Sequence, residues 1–356
     1  MIPTPKNSPY IKLRLFNQSI ALLLSKNVLW TLLVLSLSIL CLIVLSINIG
    51  SYQLSTFQVF DILLNQPEDV ASDNIIWLFR FPRTLCAALV GAMMALSGAA
   101  LQNVTRNTLA DPSLVGISQG AALMVVSSMI LFPDLDQSWR SLLAFSGSIL
   151  VALLILVLSH SNKSSKPVRF ILLGIGISAF LSAITTAFLT YGDIYRASAA
   201  LAWLAGSIDA ANWQDVSILS ASALVLIPLL VLCSRAMGAL RFGEQSAVCL
   251  GTRIHSTKYL LIGCSVALAA TATSIVGPIG FIGLIAPHAA RRLCRSSVVA
   301  HLLLSALLGA LLVLAADLAG RSLIAPSQIP AGILTQIIGV PAFLYLLLKQ
   351  KAHSAI

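Results

Sequence analysis

The chain has 356 residues, of which 58% are hydrophobic and only 10% charged, with a formal net charge of +10. A soluble globular domain is about a quarter charged and has no place to bury this much apolar surface, so lipid must solvate much of the chain. The Lys and Arg residues lie between apolar runs and form no basic stripe, which excludes a nucleic-acid surface and points to a topology signal.

The first apolar run, Val28 to Ile49, is longer than a signal-peptide core, and no small-residue cleavage site follows it. It reads as a retained helix behind a basic cytoplasmic tail, residues 1–27, that carries Lys6, Lys12, Arg14 and Lys26. Runs of about 20 apolar residues cross a bilayer as helices. They predict spans near 28–50, 84–104, 114–132, 139–159, 168–190, 214–234, 258–277, 279–294, 299–318 and 330–348. The seventh and eighth form one nearly continuous apolar stretch, broken only at Gly277-Pro278-Ile279-Gly280.

Charge decides between one span and two. Ten spans with an inside N-terminus put 17 Lys/Arg inside and 5 outside; merging the seventh and eighth makes the split 13 against 9. The positive-inside rule therefore favours an all-α bundle of ten transmembrane helices with both termini cytoplasmic. Residues 28–349 form one transmembrane domain, 350–356 a short cytoplasmic tail, and no soluble domain is appended. Ten of the twelve acidic residues then lie on the outer side, which suits a partner surface.

Small residues at four-residue spacing, Gly91/Ala95/Ala99 in span two and Gly174/Ser178/Ser182 in span five, predict close helix packing. Span five also carries a hydroxyl stripe, Ser178, Ser182, Thr185, Thr186 and Thr190. The stripe lines a weakly polar translocation path, or each hydroxyl bonds the carbonyl of its own preceding turn. Arg106-Asn107 and Asp111-Pro112 read as the inner turn between spans two and three, with Asp111 as a helix cap and Pro112 at the first position.

The six cysteines (Cys41, Cys86, Cys233, Cys249, Cys264, Cys294) are irregularly spaced without a CxxC pair, so they read as packing residues, not as a zinc site or disulfide framework. No cofactor is expected. The chain lacks G-x-x-x-x-G-K-[ST], and the middles of its spans are almost free of charge. An ion-coupled secondary transporter buries ionisable groups at that depth and is disfavoured. A membrane-embedded enzyme is disfavoured because no nucleophile–base set or metal-ligand cluster stands out. His288 reads as a structural hydrogen-bonder. Any active transport must be energised by another subunit.

From Arg80 the chain reads RFPRTLCAALVGAMMALSGAALQNVTRNTLADPSLVGISQGAAL, followed later by ALRFGEQSAVCLGTR from Ala239, GPIGFIGLIAPHAARRL from Gly277 and IPAGILTQIIGVPAFLYLLLK from Ile329. These blocks, in this order, resemble the FecCD-type permeases of bacterial iron–siderophore, haem and vitamin B12 ABC importers. Thr108 stands where that family usually has proline, and Gln328 where it usually has an acidic residue.

The resemblance implies ten helices in the inner membrane, a second permease chain (a copy or a paralogue), two cytoplasmic ATP-binding subunits and a periplasmic binding protein. It implies transport of a ferric chelate, with haem or cobalamin as the alternative within the family. It implies that residues 239–253, with Gly243, Glu244, Ala247 and Gly251, form the element that docks on the ATPase. Glycines suit the bends at both ends of that short segment, and Glu244 would complement a helix N-terminus. It also implies that Arg80, Arg83 and Arg321, three of only five basic residues outside, meet acidic residues of the binding protein. Arg321 is four residues from Asp317 and is placed to pair with it.

Overall fold

Apolar runs of the length seen in this sequence have one solution in lipid, since a helix satisfies all its backbone groups internally. The computed structural model describes residues 10–15, 20–50, 55–64, 70–159, 166–293, 297–324 and 327–353. Lys6, Cys294 and Arg295 lie outside them.

A hairpin of two antiparallel strands, β1 (Tyr10–Leu15) and β2 (Ile20–Ser25), precedes the bundle, in register Tyr10 to Ser25. The rest is helical: α1 (Lys26–Asn48), α2 (Thr56–Leu63), α3 (Val70–Asn74), a π turn (Ile75–Arg80) and α4 (Phe81–Thr105). A 3-10 turn (Pro112–Val115) leads into α5 (Ile117–Leu131), α6 (Gln137–Ser159), α7 (Lys166–Tyr191), α8 (Ile194–Leu204) and α9 (Trp213–Leu232). Then come α10 (Ser234–Leu240), α11 (Glu244–Cys249), α12 (Ile254–Val276), α13 (Ile282–Leu293), α14 (Val298–Ser322) and α15 (Ala331–His353).

Each predicted span coincides with one helix. Among the described residues seven helices are long and apolar enough to cross a membrane: α1, the continuous Val70–Thr105 stretch, α6, α7, α9, α12 and α14. The others are shorter by that measure, and α13, with 12 residues, is only about 18 Å long. The outer connection after α7 is not a loop but α8, whose N-cap Asp193 accepts hydrogen bonds from the Tyr195 and Arg196 amides.

Helix α4 is apolar on every side, and a helix of that kind belongs in the middle of a bundle. It packs on α14, α12, α13 and α9, and 78% of its most apolar stretch is buried, against 11% for α7 at the edge. Small residues permit this. Gly91 faces the backbone of Gly309 on α14, Gly98 faces Gly283 on α13, and Gly120 on α5 faces Gly147 on α6, each too close for a Cβ. Ser97 and Ser265 tie α4 to α12 by donating to each other's carbonyls at 2.6 and 2.8 Å.

The break between α12 and α13 runs through Gly277 (φ 75°) to Phe281 (φ 68°). Irregular backbone at membrane depth is tolerated only where protein covers it or it lines a cavity. Here the α8–α9 connection does the covering: the Ser207 amide donates to Val276 O at 2.9 Å, and Gly206 lies against the Pro278 carbonyl.

Candidate functional site

At one end of the bundle, the C-terminus of α1 leaves four carbonyls without intrahelical partners. The Ile49 amide takes Leu45 O at 2.8 Å. Arg321 donates to Ser46 O at 2.7 Å and to the Ser46 hydroxyl. Arg80 donates to Ile47 O at 2.7 Å and Asn48 O at 3.1 Å. Two guanidinium groups therefore cap α1, where the negative end of its dipole favours cations. The π turn ends on Arg80 and leaves it buried. Gly50 is required beside it, because a Cβ there would lie 2.7 Å from a guanidinium nitrogen.

Asp317, 2% exposed, completes this layer. It accepts two bonds from Arg83 Nε (2.9 and 3.2 Å) and one from Nη2 (2.8 Å), the planar fork that arginine offers a carboxylate. Arg83 Nη1 reaches Gln328 Oε1 at 2.8 Å. Arg321 Nε approaches Asp317 only to 3.7 Å. So the structure does bring Arg80, Arg83 and Arg321 together, as ties between α1, α4, α14 and the segment before α15. Arg80 and Arg321 are about 5% exposed, and the Arg83 side chain is 12% exposed. Nothing local in the sequence pairs Arg80 with the end of α1, since the contact spans more than thirty residues.

At the opposite end, α11 is a six-residue helix framed by glycines. Gly243 has φ 109° and ψ 159°, a conformation open essentially to glycine alone. Gly251 (φ 78°) closes the helix in a Schellman motif: its amide donates to Val248 O at 2.8 Å, and Thr252 N to Ala247 O at 2.9 Å. Ala247 is fully buried against the bundle. Phe242, Val248 and Leu250 are 77%, 60% and 66% exposed, an apolar tip without cover among the described residues. Glu244, in the first turn, accepts from Lys258 Nζ at 2.7 Å and lies 3.9 Å from Arg106.

Beside it, Asp111 caps the 3-10 turn through Oδ1, which accepts from the Ser113 amide at 2.8 Å and from its hydroxyl at 2.5 Å. Burial pushes the Asp111 carboxyl above the usual carboxylate range, while the Ser113 donors and the nearby Leu284 amide pull it down.

The hydroxyl stripe on α7 divides. Ser178, Thr185, Thr186 and Thr190 each donate to the carbonyl four residues before, at 2.6 to 2.9 Å. Thr185 is buried, whereas Ser182, Thr186 and Thr190 lie on the exposed face. Back-bonding of this kind leaves a hydroxyl's acceptor capacity free, so an exposed stripe remains weakly polar.

Among the described residues no group of three or more His, Cys, Asp or Glu converges, and the five described cysteines are free thiols. The arrangement offers surfaces and a polar stripe.

This is the architecture of a multi-pass membrane transport permease. Residues 37–349 match the model of the FecCD transport family, and the chain belongs to that family. It is 41% identical over 283 residues to the probable siderophore transport system permease YfhA of Bacillus subtilis, covering 78% of this chain and 82% of that protein. It is 39% identical to the Fe(3+)-citrate import system permease YfmE of the same species, covering 90% of this chain and 96% of that one. Identity to the achromobactin transport system permease CbrC of Dickeya dadantii is 37%, over 88% of this chain and 90% of that one. Among solved structures, a metal-chelate type ABC transporter in an inward-facing conformation superposes with a TM-score of 0.79 at 29% identity, over 89% of this chain and 98% of that one.

Proposed function

We propose that this chain is the membrane-spanning subunit of an ATP-driven importer that carries ferric-siderophore-type chelates from periplasm to cytoplasm across a bacterial inner membrane. The observation that carries the reading is α11, a glycine-framed knob whose apolar tip is uncovered among the described residues. Such a tip suits a groove on an ATPase partner, which would supply the energy for transport. The relatives are named as permeases for siderophores, ferric citrate and achromobactin, so an iron chelate is the cargo favoured over haem or cobalamin.

In this reading the ten helices at the predicted spans cross the membrane, α13 being the short one, and both termini and α11 face the cytoplasm, as the 17-to-5 charge split favours. A second permease chain covers the open face of α7, and Ser182, Thr186 and Thr190 line the path between the two. A periplasmic binding protein docks at the Arg83 end. There Arg83 offers the contact through its exposed edge beside Gln328, while Arg80 and Arg321 hold the surface in shape.

The test uses the native thiol of Cys249, exposed on α11. In inside-out vesicles with the other cysteines replaced, a maleimide should label it in the permease alone, and co-expressed ATPase should protect it. The same assembly in proteoliposomes should take up a radio-iron chelate only with ATP. Equal labelling with and without the ATPase, together with ATP-independent uptake, would sink the proposal.

A further inference from the structure

Among the described residues only two non-glycines have positive φ: Arg106 at 52° and Phe281 at 68°. Strain of this kind persists only where surrounding structure over-determines it, and it concentrates at switching elements. The two residues lie at the ends of one chain of contacts. Arg106 is the C-cap of α4, and its guanidinium sits 3.9 Å from Glu244 of α11. The turn that follows is held by the Leu109 amide on Asn107 Oδ1 (2.9 Å) and the Ala110 amide on Asn107 O (3.2 Å). It delivers Asp111, 2% exposed, to the first turn of α13.

Contacts on that turn of α13 are tight. Pro112 lies beneath Gly283, where a Cβ would be 2.9 Å from Pro112 Cδ. Gln102 of α4 donates to Gly283 O at 3.1 Å and accepts from Arg291 at the other end of α13. Phe281 then seats its side chain over Gly339 of α15, where a Cβ would lie 2.7 Å from Phe281 Cβ.

One atom in this chain of contacts is unsatisfied. Asp111 Oδ2 is buried without a hydrogen-bond partner. The Leu284 amide faces the carboxylate closely enough to stabilise its charge, but its hydrogen bond of good geometry goes to Phe281 O at 3.2 Å. A buried acceptor left unpaired is costly, and so is the backbone of Phe281. A small rotation of the first turn of α13 that carried the Leu284 N–H from Phe281 O to Asp111 Oδ2 would satisfy that oxygen and would let Phe281 leave its positive φ.

We propose that Asp111 is the positioning residue of a two-state relay in which movement of α11, passed through Arg106 and the α4–α5 turn, rotates the start of α13 and shifts α15 through the Phe281–Gly339 contact. The proposal rests on the permease reading, since it is the ATPase that would move α11. Packed elements with two discrete arrangements are what carries such coupling. A purely local role, capping the 3-10 turn, would need only Asp111 Oδ1.

Asp111→Ser separates the two roles, because serine is a good cap but has no second oxygen. The readout is chelate uptake per ATP hydrolysed, in proteoliposomes holding the full assembly with its ATPase and binding protein. The variant should assemble and hydrolyse ATP normally while uptake per ATP falls about tenfold or more, the range of a typical coupling energy. An unchanged ratio overturns the relay while leaving the permease reading intact. Absence of ATP-dependent uptake by the unaltered chain removes both.

Should Asp111→Ser fail to assemble, Phe281→Gly tests the same device, since glycine holds a positive φ without strain. Spin labels at the exposed positions Arg292 on α13 and Leu344 on α15 should change separation between nucleotide-free and nucleotide-bound assemblies. Phe281→Gly should abolish that change. A separation insensitive to nucleotide in the unaltered sequence overturns the relay.

Discussion

Replacing Asp317 with alanine tests the layer that joins α1, α4 and α14. Among the described residues Asp317 is the carboxylate paired with Arg83 and with Arg321. It is 2% exposed and takes three N···O contacts from Arg83 at 2.8, 2.9 and 3.2 Å. Its loss leaves two cations without their counter-charge. Arg83 has some relief, being 12% exposed and still bonded to Gln328; Arg321, at 4%, has little. Breaking a buried pair from one side costs about 3–5 kcal/mol in water-soluble proteins, whereas interhelical polar contacts in membranes average nearer 0.6 kcal/mol. The uncompensated charge of Arg321 places the expected loss toward the upper range, about 3 kcal/mol.

Reversible unfolding of the purified chain from mixed micelles measures this change. A cycle with Arg83→Gln, Asp317→Asn and the double variant isolates the pair, with an expected coupling of about 2 kcal/mol. A change within about 0.5 kcal/mol for Asp317→Ala would refute the reasoning. It would mean that Arg83 is held by something else and is free to act as a docking arm.

Other outcomes follow from single positions. Gly98→Val must drive a side chain into the backbone of Gly283; overpacking of this kind costs about 1–3 kcal/mol or more, seen as a lower melting temperature in detergent, whereas Gly176→Val, which meets nothing within 4 Å, should be neutral. Gly243→Val with Gly251→Val should leave insertion intact but misfold α11, since each glycine has positive φ and strain of about 1–3 kcal/mol per site applies; uptake and ATPase co-purification at unaltered levels would count against the docking role. In a cysteine-free background, single cysteines at Arg140 and at Ser322, the exposed neighbour of the buried Arg321, should react with an impermeant thiol reagent in intact spheroplasts, and one at Gln245 only after permeabilisation. Thr186→Val and Thr190→Val together should preserve the fold, since both hydroxyls bond only their own helix, and should slow uptake; an unchanged rate would remove these two positions from the path.

Hydropathy and motif order sufficed to place helices at the predicted spans and to name the family, because lipid leaves the backbone few choices and Gly277-Pro278-Ile279-Gly280 interrupts the apolar run between α12 and α13. The glycine frame of α11 was also legible, since a residue that must hold positive φ announces itself locally. What the sequence could not express was which distant groups meet. Arg80 and Arg321 cap a helix that ends at Asn48, and Asp317 is gripped by Arg83 at 2.8 Å while Arg321 pairs with it only at 3.7 Å. Gly98 lay outside the predicted four-residue stripe, yet it is where α13 comes closest to α4. Likewise α8 carries no span-length run, and Asp193 shows as its cap only once α7 has ended beside it. Each of these depends on the relative rotation and depth of helices, set by packing across the whole bundle and not by any local pattern.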